Sequence, residues 1–308
     1  MPITLALEPY DRTQALIDGR VAVPGVSPIV VGSGPRHERM LLEHAYSAAE
    51  LSMSSYIMAR AQGVGLVAVP VFPRRLFSPS CVYVRRGLTA PGQLVGGRIG
   101  IYSLQFTMSV VARGDLHHHF GLPMDAVTWV RVGREIMPHH SPLRVEERPG
   151  ADLWDLLAEG AIDAVVSPDV PKAFEEGRVA RLFPAFASVE RDLWVRTQIY
   201  PIMHTVAIRL DAVARRPSLP RELYDAFAQA KALGAQHLRQ PYATSLVWGR
   251  AALEAQDRLF GDPFPYDLGE ANRRSLAALM RYQVEQGFLD EAVPLETLFP
   301  SFTETRPI

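Results

Sequence analysis

Up to about residue 210 the apolar positions come in short runs that suit half-buried strands, and beyond it they recur at helical spacing. Strand-like runs fall at 3–7, 28–32, 65–72, 81–84, 98–101, 128–132 and in AIDAVVSP, ahead of Asp169. Helical patterns fall at 35–46, after Ser55, and at 106–120 and 152–159; from residue 219 onward they dominate, at 221–238, 246–259 and 270–285. Segments 8–21 and 131–150 read as loop. Strands alternating with helices predict an α/β fold. The stretch IYPIMHTVAIR, 199–209, stands where the two regimes meet. Its run 205–208 is rich in β-branched residues and predicts a buried strand entered through a polar residue, His204. That strand reads as a crossing between two lobes, with His204 at the hinge and facing a cleft.

Length and composition narrow the function classes. A chain of 308 residues can bury a large core and ordinarily forms two lobes or domains. Its 32 basic residues balance 33 acidic ones, and no long basic run appears, so neither nucleic acid nor an anionic membrane is expected as a partner. The single Cys81 excludes an intramolecular disulfide and a cysteine-based zinc site. The apolar run 3–7 is too short for a signal peptide, and no stretch of about 18 apolar residues follows. A cytoplasmic protein is the expectation.

Several residue groups carry candidate chemistry. Tyr10, Asp11 and Arg12 follow the first strand, where open α/β sheets gather ligands; the same residues also suit a plain surface turn. Glu50, Ser52, Ser54 and Ser55 precede a helical pattern. The serines can cap that helix, or they can join its free amides in holding a carboxylate or phosphate. Arg74 and Arg75 sit between prolines and offer either bidentate donors or two solvated charges. Thr107 and Ser109 lie in the first turn of the 106–120 helix, again a place for an anion. The glycines near 97 do not fit a dinucleotide fingerprint, and no phosphate-loop lysine follows. His117, His118 and His119 are consecutive on a helix, splay by about 100° each and cannot share one metal. They read as a solvated helix end. His37, Glu38 and His44 keep a metal-dependent version open, although His37 and His44 lie two helical turns apart.

Seven segments in order, YDRT, ELSMSSY, VPVFPRRLFSPSCVYV, GRIGIYSLQFT, IDAVVSP, YPIMHTVAIR and RYQVEQGF, span nearly the whole chain. With them the sequence resembles the 4,5-dihydroxyphthalate decarboxylase family. The resemblance implies a two-lobed α/β fold of the type 2 periplasmic-binding-protein kind with a cleft between lobes. Lobe 1 is expected at 1–100 and 205–308 and lobe 2 at 101–204. One departure stands out: DPFPYDLG occupies the place of an aromatic-rich DYWPYG loop. The activity implied is loss of one carboxylate from 4,5-dihydroxyphthalate to give protocatechuate and CO2, with no organic cofactor and with a metal left open. His204 is then the first choice for acid–base work, with Glu50 to accept from a catechol hydroxyl or to orient a basic partner. Arg12, Arg74 and Arg75 are expected to hold carboxylates, with Ser54, Ser55 and Thr107 adding donors. The expected partner is a small aromatic carboxylate, and a homo-oligomer is compatible with the sequence. Two other readings share the fold: a solute-binding protein for a small carboxylate, and an enzyme of the menaquinone-pathway type.

Overall fold

The computed structural model describes residues 3–240, 242–300 and 302. Its packing divides the chain into two units. Unit 1 comprises Met1–Arg75, His204–Asn272 and Val293–Ile308, and unit 2 comprises Leu76–Met203 and Arg273–Ala292. Residues 76–100 and 273–292 therefore pack with the second unit, where the sequence alone groups them with the first.

Unit 1 is built on β1 (Ile3–Leu7), β2 (Val26–Val30), β3 (Ala48–Ser52), β4 (Leu66–Val69) and a late strand, His204–Arg209. The sheet order is β2, β1, β3, His204–Arg209, β4. β1 runs parallel to β2 and β3, whereas the late strand is antiparallel to both β3 and β4. That reversal brings His204, the first residue of its strand, opposite Ser52, the last residue of β3. The beginning of one strand thus meets the carboxyl ends of the others. β2 contains Pro28 and is an edge strand, the position where a residue without an N–H costs the ladder least. The core joins Leu5, Leu7, Val69, Val206 and Ile208 on the sheet to Leu219, Leu223 and Phe227 on the helix Leu219–Leu238. Gly234 of that helix lies so close to the 10–12 loop that a Cβ there would stand 2.2 Å from the Asp11 carbonyl oxygen.

Unit 2 carries β5 (Val82–Arg85), β6 (Arg98–Ile101), β7 (Thr128–Arg131), β8 (Val145–Glu147), β9 (Ala164–Val166) and β10 (Val179–Arg181), in the order β10, β5, β9, β6, β7, β8. With every strand before it placed, the late strand of unit 1 is β11. Tyr83, Val130, Leu157, Ile162 and Val165 form the core of unit 2. β8 corrects the reading of 131–150 as loop. It is an edge strand with no fully buried residue, held by ion pairs such as Arg98–Glu146 and Arg131–Glu147. The helix expected at 35–46 runs instead over Ser33–Leu41, and His44 shortly after it takes a positive φ of 53°, which ends helical continuation. Among the described residues no helix is long and apolar enough to cross a membrane.

Candidate active site

The site lies wholly within unit 1 and grows from the ends of β1, β3 and β11. Residues directly opposite on antiparallel strands point to the same face, so Glu50, opposite Val206, is the diagonal neighbour of His204. A strand diagonal is within reach of two long side chains. The Glu50 carboxylate and the imidazole close it, with Oε1 2.6 Å from Nδ1. Both residues are buried.

β1 ends at Leu7 and hands over to Glu8 and Tyr10. The turn is fixed by Thr13, whose Oγ1 accepts from the Tyr10 amide at 2.8 Å and donates to the Glu8 carbonyl at 2.7 Å. Held this way, the Tyr10 hydroxyl donates to Glu8 Oε2 at 2.7 Å and lies 3.0 Å from Glu50 Oε1. The Glu8 amide donates to the other Glu50 oxygen at 3.2 Å. Arg36, fully buried on the Ser33–Leu41 helix, donates through Nε to the Glu50 carbonyl at 2.7 Å and through Nη1 to the Val31 carbonyl at 2.5 Å. Its Nη2 then sits 3.4 Å from Glu8 Oε2 and 3.6 Å from Glu50 Oε1. Ser33 donates to Glu8 with both its amide and its hydroxyl. The edge of His37 meets the His204 ring at right angles, with centroids 5.0 Å apart.

These contacts set the protonation states. Burial pushes the Glu50 carboxyl up, but the His204 hydrogen bond, the adjacent positive charge and the Tyr10 hydroxyl outweigh it and hold the group at about 2. For His204, burial outweighs the pull of Glu50 and keeps the imidazole below its ordinary value. Glu50 is therefore an anion and His204 neutral at pH 7. A neutral imidazole facing a carboxylate carries its proton on Nδ1, which leaves the lone pair on Nε2. Burial and then the two carboxylates push the Tyr10 phenol far up, so it stays a donor. Burial also raises Glu8, yet Tyr10, Arg36 and Ser33 bring it below the usual carboxylate range against the opposing charge of Glu50. The arrangement can take a proton at Nε2 and store the resulting charge against Glu50.

Of the residues singled out in the sequence, His204 and Glu50 come together. Arg74 joins them at the edge: Nη1 lies 3.8 Å from Glu8 Oε2 and 3.3 Å from Ser33 Oγ, and a quarter of its side chain (25%) is exposed. Arg12 is 16% exposed and sits between the Tyr10 and Phe264 rings, 4.4 and 4.3 Å from their centroids. Its Nε donates to the Pro73 carbonyl and its Nη1 to Asp11 at 2.8 Å. Phe264 belongs to the DPFPYDLG segment, so the loop that departs from the expected pattern touches a candidate carboxylate ligand.

Other candidates are placed differently. Arg75 is buried, packs over Phe72 and donates to Asn272 Oδ1. Ser52 caps the Met53–Ala61 helix by accepting from the Ser55 amide, and the Ser55 hydroxyl donates to Ser52 at 3.3 Å. Ser54 is buried in the same first turn. Thr107 belongs to unit 2, where its hydroxyl donates to the Met203 carbonyl at 3.0 Å. His118, read as solvated, pairs instead with Glu285 at 2.7 Å and stacks on Tyr282. Glu8, Ser33 and Arg36 escaped the sequence reading. Glu8 had one available signal, its place immediately after the first strand.

No protein-family model matches the chain. It is similar to a 4,5-dihydroxyphthalate decarboxylase of Comamonas testosteroni, 34% identical over 287 residues and 86% of each chain. A second protein of that name, from Pseudomonas putida, is 35% identical over 189 residues, 57% of this chain and 73% of that one. Among solved structures, the periplasmic aliphatic sulphonate binding protein SsuA of Escherichia coli superposes with a TM-score of 0.58 at 13% identity, covering 99% of this chain and 94% of its own. The Candida albicans CA3427 product, which has the generic periplasmic binding protein fold, superposes with a TM-score of 0.56 at 14% identity, covering 92% and 90%. The likeness to these two structures establishes the fold.

Proposed function

The chain belongs to the 4,5-dihydroxyphthalate decarboxylase family, and from that premise we propose that the Glu50–His204 pair runs a carboxy-lyase reaction converting 4,5-dihydroxyphthalate to protocatechuate and CO2. Direct loss of CO2 from an aryl acid would leave a carbanion in the ring plane that the ring cannot delocalise. The reaction proceeds through the hydroxyl para to the departing carboxylate. His204 Nε2 takes the phenol proton, and the phenolate pushes electron density onto the ring carbon that bears the carboxylate. That carbon takes up one proton from solvent, the C–C bond to the carboxylate breaks, and its electron pair returns to the ring as CO2 leaves, so that the solvent proton replaces the lost carboxylate. His204 then returns its proton to the oxygen. Glu50 holds the imidazole in the right tautomer and balances the charge of the imidazolium.

Arg74 and Arg12 supply positive charge for the retained carboxylate. The observation that carries this reading is the neutral imidazole fixed through Nδ1 on a buried carboxylate. Glu8, Glu50 and His204 also each offer a ligand atom within 4.8 Å of the others, a spacing that could hold a metal ion. Arg36 lies against Glu8 Oε2 and Glu50 Oε1 and Tyr10 donates between them, so a dication entering there would meet a guanidinium and displace a proton donor. The reading is therefore metal-independent. Its test is incubation of the purified protein with 4,5-dihydroxyphthalate, with and without chelator, following CO2 and protocatechuate. Release of both regardless of chelator is the expected result. Saturable binding without turnover would turn the assignment to a solute-binding protein.

A further inference from the structure

Two carboxylates meet around one phenol. Glu8 Oε2 and Glu50 Oε1 stand 2.7 and 3.0 Å from the Tyr10 oxygen, and that oxygen has one proton to give. The Glu50 oxygen involved is the one that accepts from the imidazole. We infer that Tyr10 is a positioning residue for the Glu50–His204 pair: its hydroxyl proton, shared between Glu8 and Glu50, pins the oxygen that holds the imidazole and keeps His204 an acceptor at Nε2. The inference rests on the reading of His204 as the base.

The strength with which Glu50 Oε1 accepts sets how readily the imidazole holds a second proton. A carboxylate oxygen with one donor concentrates its charge on that donor and stabilises its protonated form. Here Oε1 faces His204, Tyr10 and Arg36 at once. Each additional donor withdraws charge from the contact with the imidazole, so Glu50 fixes the ring without holding a second proton on it. Loss of the hydroxyl would leave Glu50 a stronger acceptor and leave the Glu8–Glu50 repulsion to be offset by Arg36 and Arg74 without the proton between them. Both changes favour the imidazolium, the form that cannot act as a base. The other charged or titratable groups facing the pair are Glu8 after β1, Arg36 and His37 on the Ser33–Leu41 helix, Arg74 after β4, and Tyr266 in the 262–269 loop, which feels the Glu50 charge.

The test is an imidazole 15N NMR titration of the wild-type protein and of Tyr10→Phe, with the His204 signal assigned by its disappearance in His204→Gln. Phenylalanine keeps the ring that packs on Arg12 and removes only the hydroxyl. The His204 midpoint is expected to rise by roughly one pH unit in Tyr10→Phe, the size of one lost hydrogen bond to a charged group. The acid limb of kcat/KM should move by the same amount. An unmoved midpoint in a folded variant overturns the inference, because a hydroxyl that only stiffened the loop would lower the rate without displacing the titration. Should Tyr10→Phe not fold, Glu8→Gln gives the opposite arm: the phenol proton then falls to Glu50 and one negative charge is gone, so the midpoint must drop. A rise or no change there also overturns it. The titration needs no substrate, so a protein that shows the shift but no turnover retires the decarboxylase reading and leaves the role of Tyr10 intact.

Discussion

Glu50 and His204 are diagonal neighbours on antiparallel strands, and their side chains close that diagonal at 2.6 Å in a buried site. The sheet itself aims the pair, since β3 and β11 fix both Cα positions. Replacing His204 with Gln removes the acceptor at Nε2 while keeping a polar side chain of similar reach. A loss of kcat of roughly 10²- to 10⁴-fold is expected, the range of general acid–base catalysis. Steady-state kinetics together with circular dichroism of the variant would check it, and a near-normal rate would remove His204 from the mechanism.

Protonation gives the second expectation. His204 must be neutral to take a proton, and burial keeps its folded value below the ordinary one near 6.5. Activity should therefore persist as pH falls through 6.5 and decline only in more acidic solution. The same sign applies to stability. A histidine depressed on folding makes the unfolded state the better proton binder, so His204 and the similarly depressed His37 cost stability progressively as pH drops below about 6.5. A kcat/KM profile with its acid limb at or above pH 7 would contradict this assignment.

Arg74 gives the third. A quarter of its side chain is exposed, and it is held loosely, 3.8 Å from Glu8. Substitution of Arg74 by Met should raise KM by roughly 10- to 100-fold, the worth of a charge-assisted hydrogen bond, with a smaller change in kcat. An unchanged KM would assign the retained carboxylate to Arg12 alone. Arg75, buried against Phe72 and Asn272, should respond differently: its replacement by Met is expected to lower the denaturation midpoint rather than to act on KM selectively.

Much of this was legible in the chain because strand and helix periods are local properties. The 98–101 strand and the 270–285 helix are found at the expected bounds, and His204 announces itself as a polar residue opening an apolar strand. β8 was hidden because Glu146 and Glu147 fill an edge strand that is paid for by ion pairs, leaving no apolar alternation to read. Arg36 was hidden for another reason. It sits inside an ordinary helical pattern, and its role comes from reaching the Glu50 carbonyl 14 residues away, a contact that no spacing rule encodes. The boundary at Arg75 likewise depends on β5 pairing antiparallel with β9 and β10 far along the chain.

The Tyr10 loop owes its place to a missing side chain. At Gly234 a Cβ would lie 2.2 Å from the Asp11 carbonyl oxygen and 2.6 Å from its carbon, and both are backbone atoms that cannot swing aside. Gly234→Ala should therefore push the 10–12 loop off the helix, at a cost of about 1–3 kcal/mol, the usual range for overpacking. The kcat/KM should fall with it as Tyr10 moves from Glu50. Urea denaturation and kinetics on the same preparation would check both, and a variant as stable as the parent would show that the loop yields freely.

Unit 2 holds a buried acid that the chemistry does not use. Asp115 accepts from Ser78 at 2.6 Å and from Tyr282 at 3.1 Å, yet burial outweighs both bonds and raises its carboxyl to about 6. An acid raised on folding binds its proton more tightly in the folded state. Its contribution to stability is therefore present at low pH and is lost as pH climbs from about 4 to about 6. Asp115→Asn removes the penalty of a buried charge and keeps one acceptor oxygen, while its NH2 replaces the second of the two oxygens that face Ser78 and Tyr282. The stability difference between variant and parent should widen with pH across that window, by about 3 kcal/mol, and then stay level to pH 8. Thermal melts of the two proteins at half-unit intervals would measure it. A difference that is flat in pH would mean that Asp115 is already ionised at little cost, with Ser78 and Tyr282 stabilising the anion more than burial opposes it.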